Sequence, residues 1–183
     1  MTRLSLLPFC LLALATPALA QDASSSAPAD QSGPPVASAE AFKLFVDACA
    51  DISSGDPAAY DRAKDAGWTP NETEDTGPYN KVYSGYRDLN GIGEVDLWGA
   101  VYSFQSQRLG YCRVDFSDEN NLLDFKDIAG QKGLIGTTAP GQNTGDVYGS
   151  WESPDKKILV IGDRTDGVVE LEFNLLLGDK PKS

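Results

Sequence analysis

With no histidine in the sequence, its carboxylates and cysteines are the first candidates for chemistry. That absence removes the commonest general base, the Ser-His-Asp arrangement and most zinc sites. Gly149-Ser150-Trp151 lacks the Gly-x-Ser-x-Gly spacing of a nucleophile elbow. Gly91-Ile92-Gly93 lacks the third glycine of a dinucleotide loop, since Asp96 stands there. The three glycines of residues 130–136 lack the Gly-Lys-Ser/Thr that completes a phosphate loop.

Two carboxylate groupings remain. Asp88, Asn90, Glu94 and Asp96 surround one hairpin, and oxygen ligands alternating through a glycine-rich turn suit calcium. Their spacing matches no EF-hand loop, and Asn and Asp are ordinary turn residues. Glu72, Glu74 and Asp75 stand near Trp68 and Tyr79, and an acid pair beside aromatics is what a glycoside hydrolase needs. An acidic, solvated loop is the commoner origin of such a run. No cofactor, no metal and no catalytic residue is therefore expected.

The chain has three cysteines, at positions 10, 49 and 112. Phe42, Phe45, Val46 and Cys49 recur at i, i+3, i+4 and i+7, one face of a helix over residues 39–52. Gly55 gives that helix its stop. In residues 109–116, Cys112, Val114 and Phe116 alternate with Tyr111, Arg113 and Asp115, the pattern of a half-buried strand. A cysteine on the inward face of each element can meet its partner where helix packs on sheet. In an oxidising compartment a Cys49–Cys112 disulfide is expected. Closing a loop of roughly 60 residues, it would contribute about 4 kcal/mol by the chain-entropy argument. Two buried free thiols are the alternative.

The compartment is read from the N-terminus. Arg3 opens a basic region, residues 4–15 are apolar, and Ala18-Leu19-Ala20 is a small-residue cleavage site, so residues 1–20 read as a secretory signal peptide, too short for a span. Cys10 follows Leu7-Pro8-Phe9 rather than small residues and is not read as a lipid anchor. No later stretch is long and apolar enough to cross a membrane. The formal charge is −12, and loss of Arg3 makes it −13. Such acidity opposes nucleic acid and anionic membranes as partners and permits a basic protein or an envelope component. It also simply keeps an exported protein soluble. The expected location is periplasmic or secreted.

Residues 21–38 are rich in Ala, Ser, Pro and Asp and read as a disordered linker. A single domain is expected over residues 39–179. Asp56 and Pro57 open a second helix, Ala59, Ala63 and Ala66 stripe it, Gly67 ends it, and Trp68 plugs the core. Strands are expected over residues 79–86, 94–107 and 109–116, with a hairpin turn at Asn90-Gly91. Ser117 and Asp118 open a third helix running to Ala129, with Leu122, Phe125 and Ala129 on one stripe. Residues 147–152, 157–162 and 168–176 read as three more strands. The class is α+β, with an antiparallel sheet of about five to six strands packed against two or three helices and held by one disulfide.

Residues 131–146 read as a long Gly/Thr/Asn loop, the best candidate for partner contact. Its candidate residues are Gln131, Lys132, Thr137, Thr138, Gln142 and Asn143. Tyr83, Tyr86, Trp98, Tyr102, Tyr111, Tyr148 and Trp151 lie mostly in strands, where they either pack the core or cover a sheet face open to binding.

Phe45 with Ala48-Cys49, Gly67-Trp68, and Tyr111-Cys112 with Val114 give the chain a resemblance to small exported proteins of Gram-negative bacteria. The resemblance spans residues 39–116 and carries no established activity. It implies a periplasmic setting and the Cys49–Cys112 pair. The expected function is that of a non-enzymatic protein- or envelope-binding module. The alternative is a carboxylate-based hydrolase of envelope sugars, with Glu72, Glu74, Asp75, Glu94 and Asp96 as its acids.

Overall fold

The computed structural model describes residues 33–71, 81–104 and 106–179. Residues 1–32, which hold the expected signal peptide and most of the expected linker, and Glu72, Glu74, Asp75 and Tyr79 lie outside the described residues.

Helix α1 covers Ser38–Ser54 and buries Phe42, Phe45, Val46, Cys49 and Ile52, the face that the apolar spacing predicts. Gly55 stops it in the left-handed conformation, φ 71°. Helix α2, Ala59–Asp65, is a short turn beside it, and the Asp56 carboxylate accepts from the Ala58 N–H at 3.0 Å. Ala59 and Ala63 are buried and Ala66 is not. Trp68 fills the core behind α2.

Eight strands form one antiparallel sheet: β1 (Thr69–Pro70), β2 (Lys81–Leu89), β3 (Gly93–Phe104), β4 (Gln107–Ser117), β5 (Ile135–Pro140), β6 (Val147–Glu152), β7 (Ile158–Thr165) and β8 (Val168–Asp179). Their order is β1-β2-β3-β4-β8-β7-β6-β5. Two meanders, β1 to β4 and β5 to β8, therefore join edge to edge through the β4–β8 pair. Helix α1 crosses β3, β4 and β8 on one face. The tight β7–β8 turn places Asp166 at φ 52° and Gly167 at φ 78°, the two positive values a type I′ hairpin requires.

The α+β class and antiparallel sheet hold, but the strand count is higher than expected. Strand β5 lies inside the stretch read as an irregular loop, and the two-residue β1 follows Trp68. The β3–β4 turn also falls earlier than read: β3 ends at Phe104 and β4 already begins at Gln107.

The third helix does not form. Asp118, placed to start it, is instead buried and accepts the backbone N–H groups of Leu122 (2.7 Å) and Leu123 (3.2 Å). Asn121 sits at φ 52°, outside helical space. Only a 3₁₀ turn, Phe125–Ile128, follows, capped by Asp124. Leu123, Phe125 and Ile128 still reach the core. An aspartate that satisfies local backbone N–H groups offers the chain an alternative to helix, and here that alternative wins.

Cys49 and Cys112 form a disulfide, with Cα atoms 5.2 Å apart and 63 residues between them in sequence. It ties α1 to β4 at the centre of the sheet. Gly110, one residue pair along β4, lets α1 approach closely: a Cβ there would run into the Ser53 carbonyl oxygen. The void between α1 and the sheet is only about 10 Å³, smaller than a water needs. Where α1 lies on the sheet, this face is packed core.

Candidate functional site

The other face of the sheet carries the unexplained chemistry. Side chains alternate across a strand, so register decides which residues share a row. Asp96 pairs with Asp115, Asp115 with Glu170, and Glu170 with Asp163. Four carboxylates thus stand side by side across β3, β4, β8 and β7. Neighbouring strands are ~4.8 Å apart, and like charges directly opposite destabilise a sheet.

One row further along the strands lie Trp98, Arg113, Glu172 and Ile161. Arg113 reaches back to Asp115 at 2.8 Å and to Glu170 at 2.8 Å. Among the described side chains of the strands, Arg113 is the only cation on this face. The third row holds Tyr111, Asn174, Leu159, Glu152 and Ile135. Tyr111 donates its hydroxyl to Glu172 at 2.9 Å and meets Trp98 edge-on at 5.7 Å.

These contacts set the charges. Partial burial lifts the Glu170 carboxyl above its ordinary range, and Asp115, Asp163 and Glu172 add to the lift while Arg113 opposes it. Burial also pushes the Tyr111 phenol well up, helped by the bond to Glu172, so it remains a donor at neutral pH.

Apolar groups complete the face. Among the described residues, six large apolar side chains remain exposed, and Ile135, Tyr148, Leu159, Ile161 and Val168 all belong to this side of the sheet by register. A depression of about 240 Å³ lies at the β5 end, lined by Ile135, Thr137, Ser150, Glu152 and Leu159.

The residues singled out in the sequence distribute differently. Tyr83 and Trp151 are core, whereas Tyr86, Trp98, Tyr102, Tyr111 and Tyr148 fall on the open face by register. Gln131 and Lys132 sit in a 3₁₀ turn against α1. Gln131 donates to the carbonyls of Ala39 (3.3 Å) and Asp127 (3.2 Å), and Lys132 pairs with Asp47 at 2.8 Å. Thr137 and Thr138 are in β5, with Thr137 beside the depression. Gln142 and Asn143 belong to the β5–β6 turn, where Asn143 bonds to Asp146 at 3.0 Å. These six residues do not converge on one spot.

In the hairpin grouping, Asp88 pairs across the ladder with Glu94 and Tyr86 with Asp96. The Asn90 amide is turned away, donating to the carbonyls of Gly33 and of Pro34 (2.7 Å), and so holds residues 33–36 against the β2–β3 turn. Among the described residues, no group of three or more Asp, Glu or Cys is placed to hold a metal ion.

Among the described residues, no helix is long and apolar enough to cross a membrane. Comparison with protein-family models, with curated proteins and with solved structures finds no match to the chain.

Proposed function

We propose that this protein is an exported, non-enzymatic binding module of the bacterial envelope or its exterior. The observation that carries this reading is the composition of the open sheet face. Among the described residues, five of the six exposed large apolar side chains lie there, beside a cross-strand row of four carboxylates. Contiguous exposed apolar surface rimmed by charge marks interaction sites. The disulfide supports an oxidising compartment, and the leader-like residues 1–20 support export.

The test is capture from envelope extract of the source cells with the chain from residue 21 onward as bait, at low and moderate salt. A stoichiometric partner that follows the bait through both salts is the expected result. Absence of any partner at either salt would count against a binding module.

A carboxylate-based hydrolase of envelope sugars is the second reading, and the raised Glu170 carboxyl beside Asp115 and Asp163 favours it. A pair of carboxyl groups is what such chemistry uses. Release of reducing ends from cell-wall glycan by the pure protein, abolished in Glu170→Gln, would establish it.

A further inference from the structure

We infer that the open sheet face docks a basic protein surface, whose Lys and Arg side chains meet the Asp96–Asp115–Glu170–Asp163 row and whose apolar side chains meet Tyr148, Leu159 and Ile161. This rests on the binding reading above and names its site and the chemistry of its partner.

Charge complementarity selects the partner. Four carboxylates in adjacent cross-strand positions, with Glu172 one row away, share one described cation, Arg113. Among the described residues, no cation pairs with Asp96 or Asp163. Such a row costs stability in the free protein, and an incoming cation relieves that cost. The carboxylates stand in a line rather than around a point, so they suit several cations spaced like the strands, not one metal ion.

Shape decides between a small cation and a protein. Sites for small molecules are concave, typically about 300–1,000 Å³. The carboxylate row lies on open sheet, and the depression of about 240 Å³ is lined by residues of β5, β6 and β7 and by none of the four carboxylates. The adjacent apolar group, with Leu159 41% and Ile161 42% exposed, gives a partner protein a desolvated centre next to a charged rim. Anionic membranes and nucleic acid are repelled by the same row.

The probe is hen lysozyme, a basic globular protein, titrated into the isotope-labelled chain and followed by amide NMR shifts, with an acidic protein of similar size as control. Shifts confined to β3, β4, β6, β7 and β8 on the open face are expected, with none from the acidic protein. The variant Asp96→Asn/Asp115→Asn/Asp163→Asn/Glu170→Gln should bind about tenfold more weakly or worse, as the loss of several exposed ion pairs implies. A second variant, Glu40→Gln/Asp61→Asn/Asp65→Asn/Glu119→Gln, changes the net charge equally but away from this face and should bind like the parent.

Equal losses in the two variants would mean unspecific attraction and would overturn the proposal. So would a comparable response to spermidine at the same residues, which would make the ligand a small cation. Shifts centred on residues 131–134 and 141–143 or on the helices would keep a binding module while overturning this face. No response to lysozyme, together with no partner in the envelope extract, would overturn both.

Discussion

Arg164 Nη1 lies 2.7 Å from Asp118 Oδ2, and both side chains are almost wholly withdrawn from water. Arg164 also donates to the carbonyls of Leu123 (3.1 Å) and Gly145 (2.9 Å), and its guanidinium stands 5.7 Å from the Phe125 ring centre. Asp118 in turn accepts from Leu122 and Leu123. The pair therefore joins the chain after β4, the β5–β6 turn and the end of β7.

Removing one partner strands the other as a buried charge. Arg164→Met should cost about 3–5 kcal/mol in urea unfolding. Adding Asp118→Leu should recover part of that loss, because no unpaired charge then remains. A single variant within 1 kcal/mol of the parent would show that the pair contributes little.

The disulfide closes a long loop and so restricts the unfolded chain. Cys49→Ala/Cys112→Ala should lower unfolding free energy by about 4 kcal/mol. Reductant should lower the parent's melting temperature to near that of the double variant and leave the variant's unchanged. Equal stabilities with and without the bond would contradict this.

Close approach of α1 to β4 depends on Gly110. Gly110→Ala would place a methyl against the Ser53 carbonyl and should cost about 1–3 kcal/mol or more through overpacking. Thermal melts would read this directly. An unchanged melting temperature would mean that the helix can lift off the sheet at little cost.

Glu170 gives a pH signature with a defined sign. Its folded-state value is raised above the ordinary 4.5, by burial first and by neighbouring carboxylates next. Between 4.5 and that raised value the folded state binds the proton more strongly than the unfolded state. The group's contribution therefore falls as pH rises through that window and is constant above it. The parent should lose stability relative to Glu170→Gln over that interval. A difference flat in pH would show that Arg113 neutralises the site completely.

Local pattern made much of this fold legible. Phe42, Phe45, Val46 and Cys49 announced α1 through their spacing. The alternation of Cys112, Val114 and Phe116 placed Cys112 inward, and two inward cysteines named their own partner. Val169, Leu171 and Phe173 did the same for β8. The third helix was misread because Ser117, Asp118 and the following apolar stripe fit a helix start, while Asp118 was needed as the buried partner of Arg164, 46 residues away. β5 was missed because its Gly, Thr, Ala and Pro look like loop, and pairing to β6 alone makes them a strand.

The candidate site was far less visible. Glu170 and Glu172 read as wet positions of β8, but nothing local links them to Asp96, Asp115 or Asp163. Composition and periodicity determined the class, the covered helix face, the inward placing of both cysteines and the absence of histidine chemistry, because these depend on residue types and on neighbours a few residues apart. Tertiary structure alone decided which acids share a row and which apolar groups stay in water. Both are set by strand register and by which face the helix covers, relations between distant segments that hydrogen bonding between strands fixes only in the folded chain.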